Sequence, residues 1–586
     1  MKVLFAASEC VPFIKTGGLA DVVGSLPIEL ARLGVDARVI LPKYRIIDDY
    51  WKSRMEYVCH FDVLFGWAHI YCGVLKVVDN GVTYYFIDNE DFFSPENIYG
   101  DGINEAYRFA FFCRAVLEAL PHIDFFPDVL HCNDWQTGMI PPLLRTQYTA
   151  QEAYRKVRTV FSVHNLKYQG IFSWKEIAGR LGLDERYNSP EYLEFYGCIN
   201  FLKGGLVFSE YVLTVSPTYA EEIKTSYYGE NLDGLLRARY STVAGILNGI
   251  DYTIFDPAND RFLPAHFTKE NLVGKAENKA LLQEECGLEV RPEVPLIGVI
   301  ARLTPQKGLD LIERVLDDIL RMDVQLVFLG KGDKRFVDML NWANWRYPRR
   351  VHARIELDEG LAHRIYAGSD MFLMPSQFEP CGLSQMIALR YGSVPIVRET
   401  GGLKDSIEPY NVFNDSGNGF SFANYNAHEM LFTIERAVHY YYDDKPMWNR
   451  LVQRGMATDF GWQRSAEAYI HIYEHLAPRP CQQPSAITPP CPDPVGLHSE
   501  DAPVDPSVAD QISALDATPV DSEPASSAVE SAHSAPLAAA EEETIPTKSV
   551  PPAMDSQAAP VAAPVPEKKF SEKASGTRQV PAKAKK

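Results

Sequence analysis

Up to about Ala477 the chain repeats one pattern: a short run of apolar, often β-branched residues, then a glycine-rich or polar loop, then a stretch with helical apolar spacing. Such a run lacks polar alternation, so it must be covered on both faces. That requirement leads to parallel strands with helices crossing between them. Residues 3–7, 37–41, 84–87, 129–131, 158–162 and 212–215 read as buried strands of a first sheet. After the first of them, Leu19, Val22, Val23, Leu26, Leu30 and Leu33 form one helical apolar face that Gly34 ends, and Pro27 inside it predicts a kink.

The rhythm restarts after Asn248, with residues 296–300, 324–329, 351–355, 371–374 and 393–397 as a second strand set. The expected fold is α/β: two Rossmann-like, doubly wound domains facing a deep cleft, where the loops at the strands' carboxyl ends would hold a large ligand. The predicted boundaries are 1–245 and 246–457, a closing helical segment 458–477, and a tail 478–586. That tail holds 19 of the 40 prolines and a single aromatic, Phe570, too little apolar surface to offset ordering entropy, so it is expected to be disordered. Its last twenty residues are basic, which leaves a spacer and a weak docking element both open.

A formal charge of -20 disfavours polyanions such as nucleic acid. No apolar stretch approaches the ~18 residues of a membrane span, and the start, MKVLFAASEC, meets Glu9 too early for a secretion signal. Ten cysteines without a CxxC pair point to a reducing cytosol, not to a disulfide framework or zinc. No metal or cofactor is expected, since no HxH or HExxH spacing accompanies the histidines.

Chemistry concentrates in the loops. The first strand runs into Lys15, Gly17, Gly18 and Asp21 before a helix; the glycines, the free amides of a helix start and a lysine suit a phosphate, though a tight turn would look the same. Arg302 and Lys307 flank the turn after residues 296–300, either as a two-cation clamp or as solvated surface. Glu379, in Pro375-Ser376-Gln377-Phe378-Glu379-Pro380-Cys381-Gly382-Leu383, could bind sugar hydroxyls and balance positive charge in a transition state, or only cap the next helix. Thr400-Gly401-Gly402-Leu403 offers a further helix start for a phosphate, and Asp134 and His164 sit just past strands of the first domain.

Together these segments resemble the bacterial glycogen synthases, closely similar to plant starch synthases. They are KTGGLADVVG, HCNDWQTG, SVHNLKYQG, GILNGID, RLTPQKGLD, PSQFEPCGLSQ and TGGLKDS, in the family's order. The resemblance implies a GT-B fold and retaining transfer of glucose from ADP-glucose to the non-reducing end of an α-1,4-glucan such as glycogen. It implies that Lys15, Gly17 and Gly18 approach the donor, with Asp21 near the nucleotide or acceptor. Arg302 and Lys307 would stabilise the departing ADP. His164 would lie over the glucosyl ring, Asp134 and Asn248 would position its hydroxyls, and Glu379 with the amides of Cys381, Gly382 and Leu383 would hold the sugar. The second glutamate of broader relatives is here Ile387, which fits this branch; with no second carboxylate placed as an obvious nucleophile, front-face attack assisted by the leaving phosphate is expected over a covalent glycosyl intermediate. A two-domain epimerase, or a glucan-binding protein without activity, would share the loops.

Overall fold

The computed structural model describes residues 1–100 and 102–477; the tail expected to be disordered lies outside the described residues. The first sheet takes in β1 (Lys2–Ala6), β2 (Asp36–Pro42), β3 (Glu56–Phe65), β4 (Ala68–Asp79), β5 (Val82–Asp88), β6 (Val129–Asn133) and β7 (Arg158–Val163). A small antiparallel trio follows, β8 (Ile171–Ser173), β9 (Glu194–Phe195) and β10 (Cys198–Asn200), after which β11 (Tyr211–Thr214) and β12 (Val243–Gly245) rejoin the large sheet. Its order is β12-β11-β7-β6-β1-β2-β5-β4-β3. The second sheet contains β13 (Leu296–Ile300), β14 (Gln325–Leu329), β15 (Val351–Arg354), β16 (Met371–Met374), β17 (Val394–Arg398) and β18 (Phe420–Phe422), all parallel, in the order β15-β14-β13-β16-β17-β18.

Among their parallel strands both orders reverse direction once. The reversal lies between β1 and β6 in the first sheet (Val3 opposite Val129) and between β13 and β16 in the second (Ile297 opposite Met371). At such a point neighbouring strands send their crossovers to opposite faces, and the loops beyond their carboxyl ends part to leave a crevice. The loops carrying Lys15, Asp134, Arg302 and Glu379 are those at the two reversals.

Two features depart from the expectations. The hairpin β3–β4 extends the first sheet as an antiparallel edge with one solvated face, so it lacks the continuous apolar string that marked the other strands. Helix Gly18–Arg32 runs unbroken through Pro27, which is buried in it beside Leu26. Each sheet has its own core, the first around Val3, Phe5, Phe109 and Phe161, the second around Leu296, Phe328, Phe372 and Ile396. The terminal helix Trp462–Leu476 places Trp462, Ala466, Tyr469 and Tyr473 in the first core, although it follows the second sheet in sequence. Tyr473 Oη lies 2.6 Å from His131 Nδ1, and the two crossings between lobes are tied where Ile250 N donates to Phe460 O.

Candidate active site

In the second lobe the chain leaves β13 through Arg302 and a tight turn, Pro305–Lys307. Lys307 Nζ lies 2.6 Å from Glu379 Oε2, and Ser376 Oγ donates to the same oxygen at 3.0 Å. Glu379 is only 6 % exposed, so its charge is compensated by a cation and a hydroxyl, as burial of a carboxylate requires. Arg302 is exposed and makes no ion pair or side-chain hydrogen bond among the described residues. The clamp expected from the sequence is therefore asymmetric here: one cation is engaged by the neighbouring loop and the other is free.

The segment after Glu379 is held from behind. Gln385 Nε2 donates to the carbonyls of Cys381 and Gly382 and to Ser406 Oγ. The buried Cys381 thiol is hydrogen-bonded by Asn248, and burial pushes its pKa up to about 12. Asn248 is itself buried, and its Oδ1 has no hydrogen-bond partner among the described residues, an acceptor left for a hydroxyl.

In the first lobe Asp134 and His164 form one unit. Asp134 Oδ1 accepts the backbone N–H of His164 at 2.7 Å, and Asp134 stands at φ 56°, ψ 179°, a conformation that costs a non-glycine residue energy and tends to persist at functional sites. Burial raises its carboxyl to about 7 despite the amides of His164 and Asn165 that favour its charge. Asn133 Nδ2 donates to Ala6 O, which orients Oδ1 towards His164 Nε2 at 3.0 Å. Nε2 is then the protonated nitrogen and Nδ1 carries the lone pair. Burial lowers the His164 pKa to about 3, so the ring is neutral.

In the loop after β1 the buried Glu9 accepts from Thr16 N, Gly17 N and Thr16 Oγ1, just ahead of the helix that starts at Gly18, with Tyr99 Oη also donating to it. Lys15 is likewise engaged, 2.7 Å from Asp21 Oδ1, and burial raises the Asp21 pKa against that pull. Gly17 and Gly18 nevertheless face open space, since a methyl at either would touch nothing. In the sequence Glu9 shows only as an interruption of an apolar run.

One expectation is corrected at Thr400 and Gly401. Glu222, from the first lobe, accepts from Gly401 N at 3.1 Å and from Thr400 Oγ1 at 2.9 Å, so that helix start receives a carboxylate, not a phosphate. Beside it Thr218 donates twice to Asp405. No local signal marks Glu222, whose partners lie nearly 180 positions away. Among the described residues no cluster of His, Cys, Asp and Glu could hold a metal ion, and no helix is long and apolar enough to cross a membrane.

Comparison with known proteins fits this geometry. Residues 2–238 match the starch synthase catalytic domain, and residues 287–455 match glycosyl transferases group 1. A glycogen synthase of Geobacillus thermodenitrificans (strain NG80-2) is 54% identical over 81% of this chain and 98% of its own length; one from Bacillus cereus (strain B4264) is 48% identical over 81% and 100%. The solved catalytic domain of starch synthase IV from Arabidopsis thaliana, bound to ADP and acarbose, is 36% identical with a TM-score of 0.76, covering 81% of this chain and 99% of that one. The chain belongs to the glycogen and starch synthases, glycosyltransferases with two Rossmann-like lobes.

Proposed function

We propose that this glycosyltransferase moves glucose from ADP-glucose to the 4-hydroxyl at the non-reducing end of an α-1,4-glucan, with retention, releasing ADP. In this reading the lobe 1–245 presents the acceptor, the lobe 246–457 holds the donor, and 458–477 fastens the second lobe back to the first. The observation that carries it is the Lys307–Glu379 pair at the strand reversal of the second sheet, next to a free Arg302. Charge grows on the departing diphosphate as the glycosidic bond stretches. Arg302 supplies a fork and Lys307 a point charge where that charge develops, with no need to reorganise solvent.

Glu379, already compensated by Lys307, binds donor hydroxyls and offsets the cationic character of the sugar. His164, neutral, offers its Nδ1 lone pair to a hydroxyl and cannot act as a general acid at ordinary pH. Asp134 fixes the His164 backbone, Asn248 Oδ1 accepts from the sugar, and Lys15, Gly17, Gly18 and Asp21 border the donor from the first lobe. Ile387, buried in the second core, offers no nucleophile where relatives carry a second glutamate. The leaving phosphate then takes the acceptor's proton as the hydroxyl attacks the same face. The eight cysteines among the described residues are free thiols, which supports a cytosolic enzyme.

The test is transfer of radiolabelled glucose to a glycogen primer from ADP-glucose and from UDP-glucose, with Lys307→Ala and Glu379→Ala beside the unmodified protein. ADP-glucose should be the better donor, and each variant should lose about 10²- to 10³-fold in rate. Full activity in both variants, or preference for UDP-glucose, would overturn the assignment.

A further inference from the structure

The terminal helix Trp462–Leu476 does more than fill the first core. Tyr469 and Tyr473, one turn apart on its inner face, bring two phenols beneath the loops where the proposed chemistry takes place. Tyr473 Oη lies 2.6 Å from His131 Nδ1, and on the far side of that ring His131 Nε2 lies 2.6 Å from Ser162 Oγ. Ser162 in turn donates to Tyr469. None of the four is more than 2 % exposed, so water does not compete for these bonds.

The direction of the bonds follows from the protons available. Burial, with the neighbouring His164, lowers the His131 pKa to about 3, so the ring is neutral and has one donor and one acceptor nitrogen. Ser162 spends its single proton on Tyr469, so it accepts from Nε2, and Nδ1 is left to accept from Tyr473. The donors therefore run one way, from Tyr473 through His131 and Ser162 to Tyr469, and bonds aligned in this manner strengthen one another. The chain reaches both halves of the site. His131 O accepts Asn133 Nδ2 at 3.3 Å, and Asn133 Oδ1 faces His164 Nε2, while Ser162 stands two residues before His164 in β7. Tyr469 neighbours Cys381, which adds to the burial that raises the phenol's pKa; Cys381 stands two residues after Glu379 and is held by Asn248.

We infer that Tyr473 and Tyr469 are positioning residues for glucosyl transfer: from the terminal helix they fix the His164 ring through His131 and Asn133, and brace the segment after Glu379 through Cys381. This rests on the role given to His164 in the function proposed above.

Tyr473→Phe and Tyr469→Phe keep the ring and remove one oxygen each. Each should lower kcat about tenfold, the size of one lost hydrogen bond, while KM for ADP-glucose and for maltoheptaose stays within about twofold. Ile470→Ala loosens the same helix without touching the chain of bonds, and should leave kcat unchanged. An unchanged kcat in either phenylalanine variant, or an equal fall in Ile470→Ala, makes the tyrosines mere packing and overturns the inference. Ser162→Ala strips the same His131 ring from its other side and carries the test if a phenylalanine variant does not fold; it too should lose about tenfold in kcat, and no loss rejects the inference. The ring signals of His164 need no turnover. In nitrogen NMR spectra of histidine-labelled protein, the unmodified chain should show His164 as one tautomer, protonated at Nε2, and Tyr473→Phe should show a mixture of both. Identical His164 signals reject the inference, whereas an unmodified protein that transfers no glucose from either nucleotide sugar rejects only the function.

Discussion

Thr16-Gly17-Gly18-Leu19 and Thr400-Gly401-Gly402-Leu403 are the same four residues at the start of two helices, and in both a carboxylate accepts from the threonine hydroxyl and from a glycine amide. The difference is where the carboxylate comes from and what the glycines touch. Glu9 belongs to the same loop, and its glycines face open space. Glu222 reaches across from the other lobe, and its glycines are packed: a methyl on Gly401 would strike the carbonyl of Glu379, and one on Gly402 that of Cys381. The first copy is a shaped wall of the cleft. The second is a buttress that holds the Glu379 loop and fastens one lobe to the other.

The contrast can be broken most sharply at Gly402. Gly402→Ala should push the Cys381 segment away and lower kcat by about 10²-fold, because a shift of that order in a positioned group costs about that much. An unchanged kcat would remove the buttress role.

Next come the two carboxylates. Glu222→Ala leaves the buried Thr400 hydroxyl and Gly401 amide unpaired, at a cost of about 1–3 kcal/mol in urea unfolding, and Glu9→Ala, whose donors on Thr16 and Gly17 are more exposed, should cost less. Only Glu222→Ala should also expand the molecule in solution scattering, since only it releases a contact between lobes. Equal expansion in both variants would erase the distinction.

A smaller effect concerns pH. The Asp134 carboxyl keeps its proton up to about 7 in the folded protein but would lose it near 3.8 when unfolded. Across that window folding takes up a proton, so stability falls as pH rises. Asp134→Asn should flatten this part of the unfolding-midpoint profile; a slope that survives the substitution assigns it to other groups. The smallest change is expected for Gly17→Ala, whose methyl meets nothing and whose φ of -156° any residue adopts. Its melting temperature should match the unmodified protein, and a clear drop would show that this wall is packed after all.

The strands were legible because a strand buried on both faces must be written as an unbroken apolar run, as residues 296–300 and 371–374 are. The hairpin β3–β4 was not, because an edge needs apolar residues on one face only. The glycine loops, Arg302, Lys307 and Glu379 stood out through composition next to a strand end. Their division of labour did not, since Lys307 and Glu379 are 72 positions apart and meet only because β13 and β16 are neighbours.

From its residues alone the chain dictates two parallel sheets, the loops that carry charge and glycine, and the family those loops resemble, because apolar periodicity and backbone freedom are local properties. Which amides are already occupied, which cation is free, and which lobe supplies a partner followed only from the folded chain. A hydrogen bond depends on distance in space, and the order of strands in a sheet, not the order of residues, sets that distance.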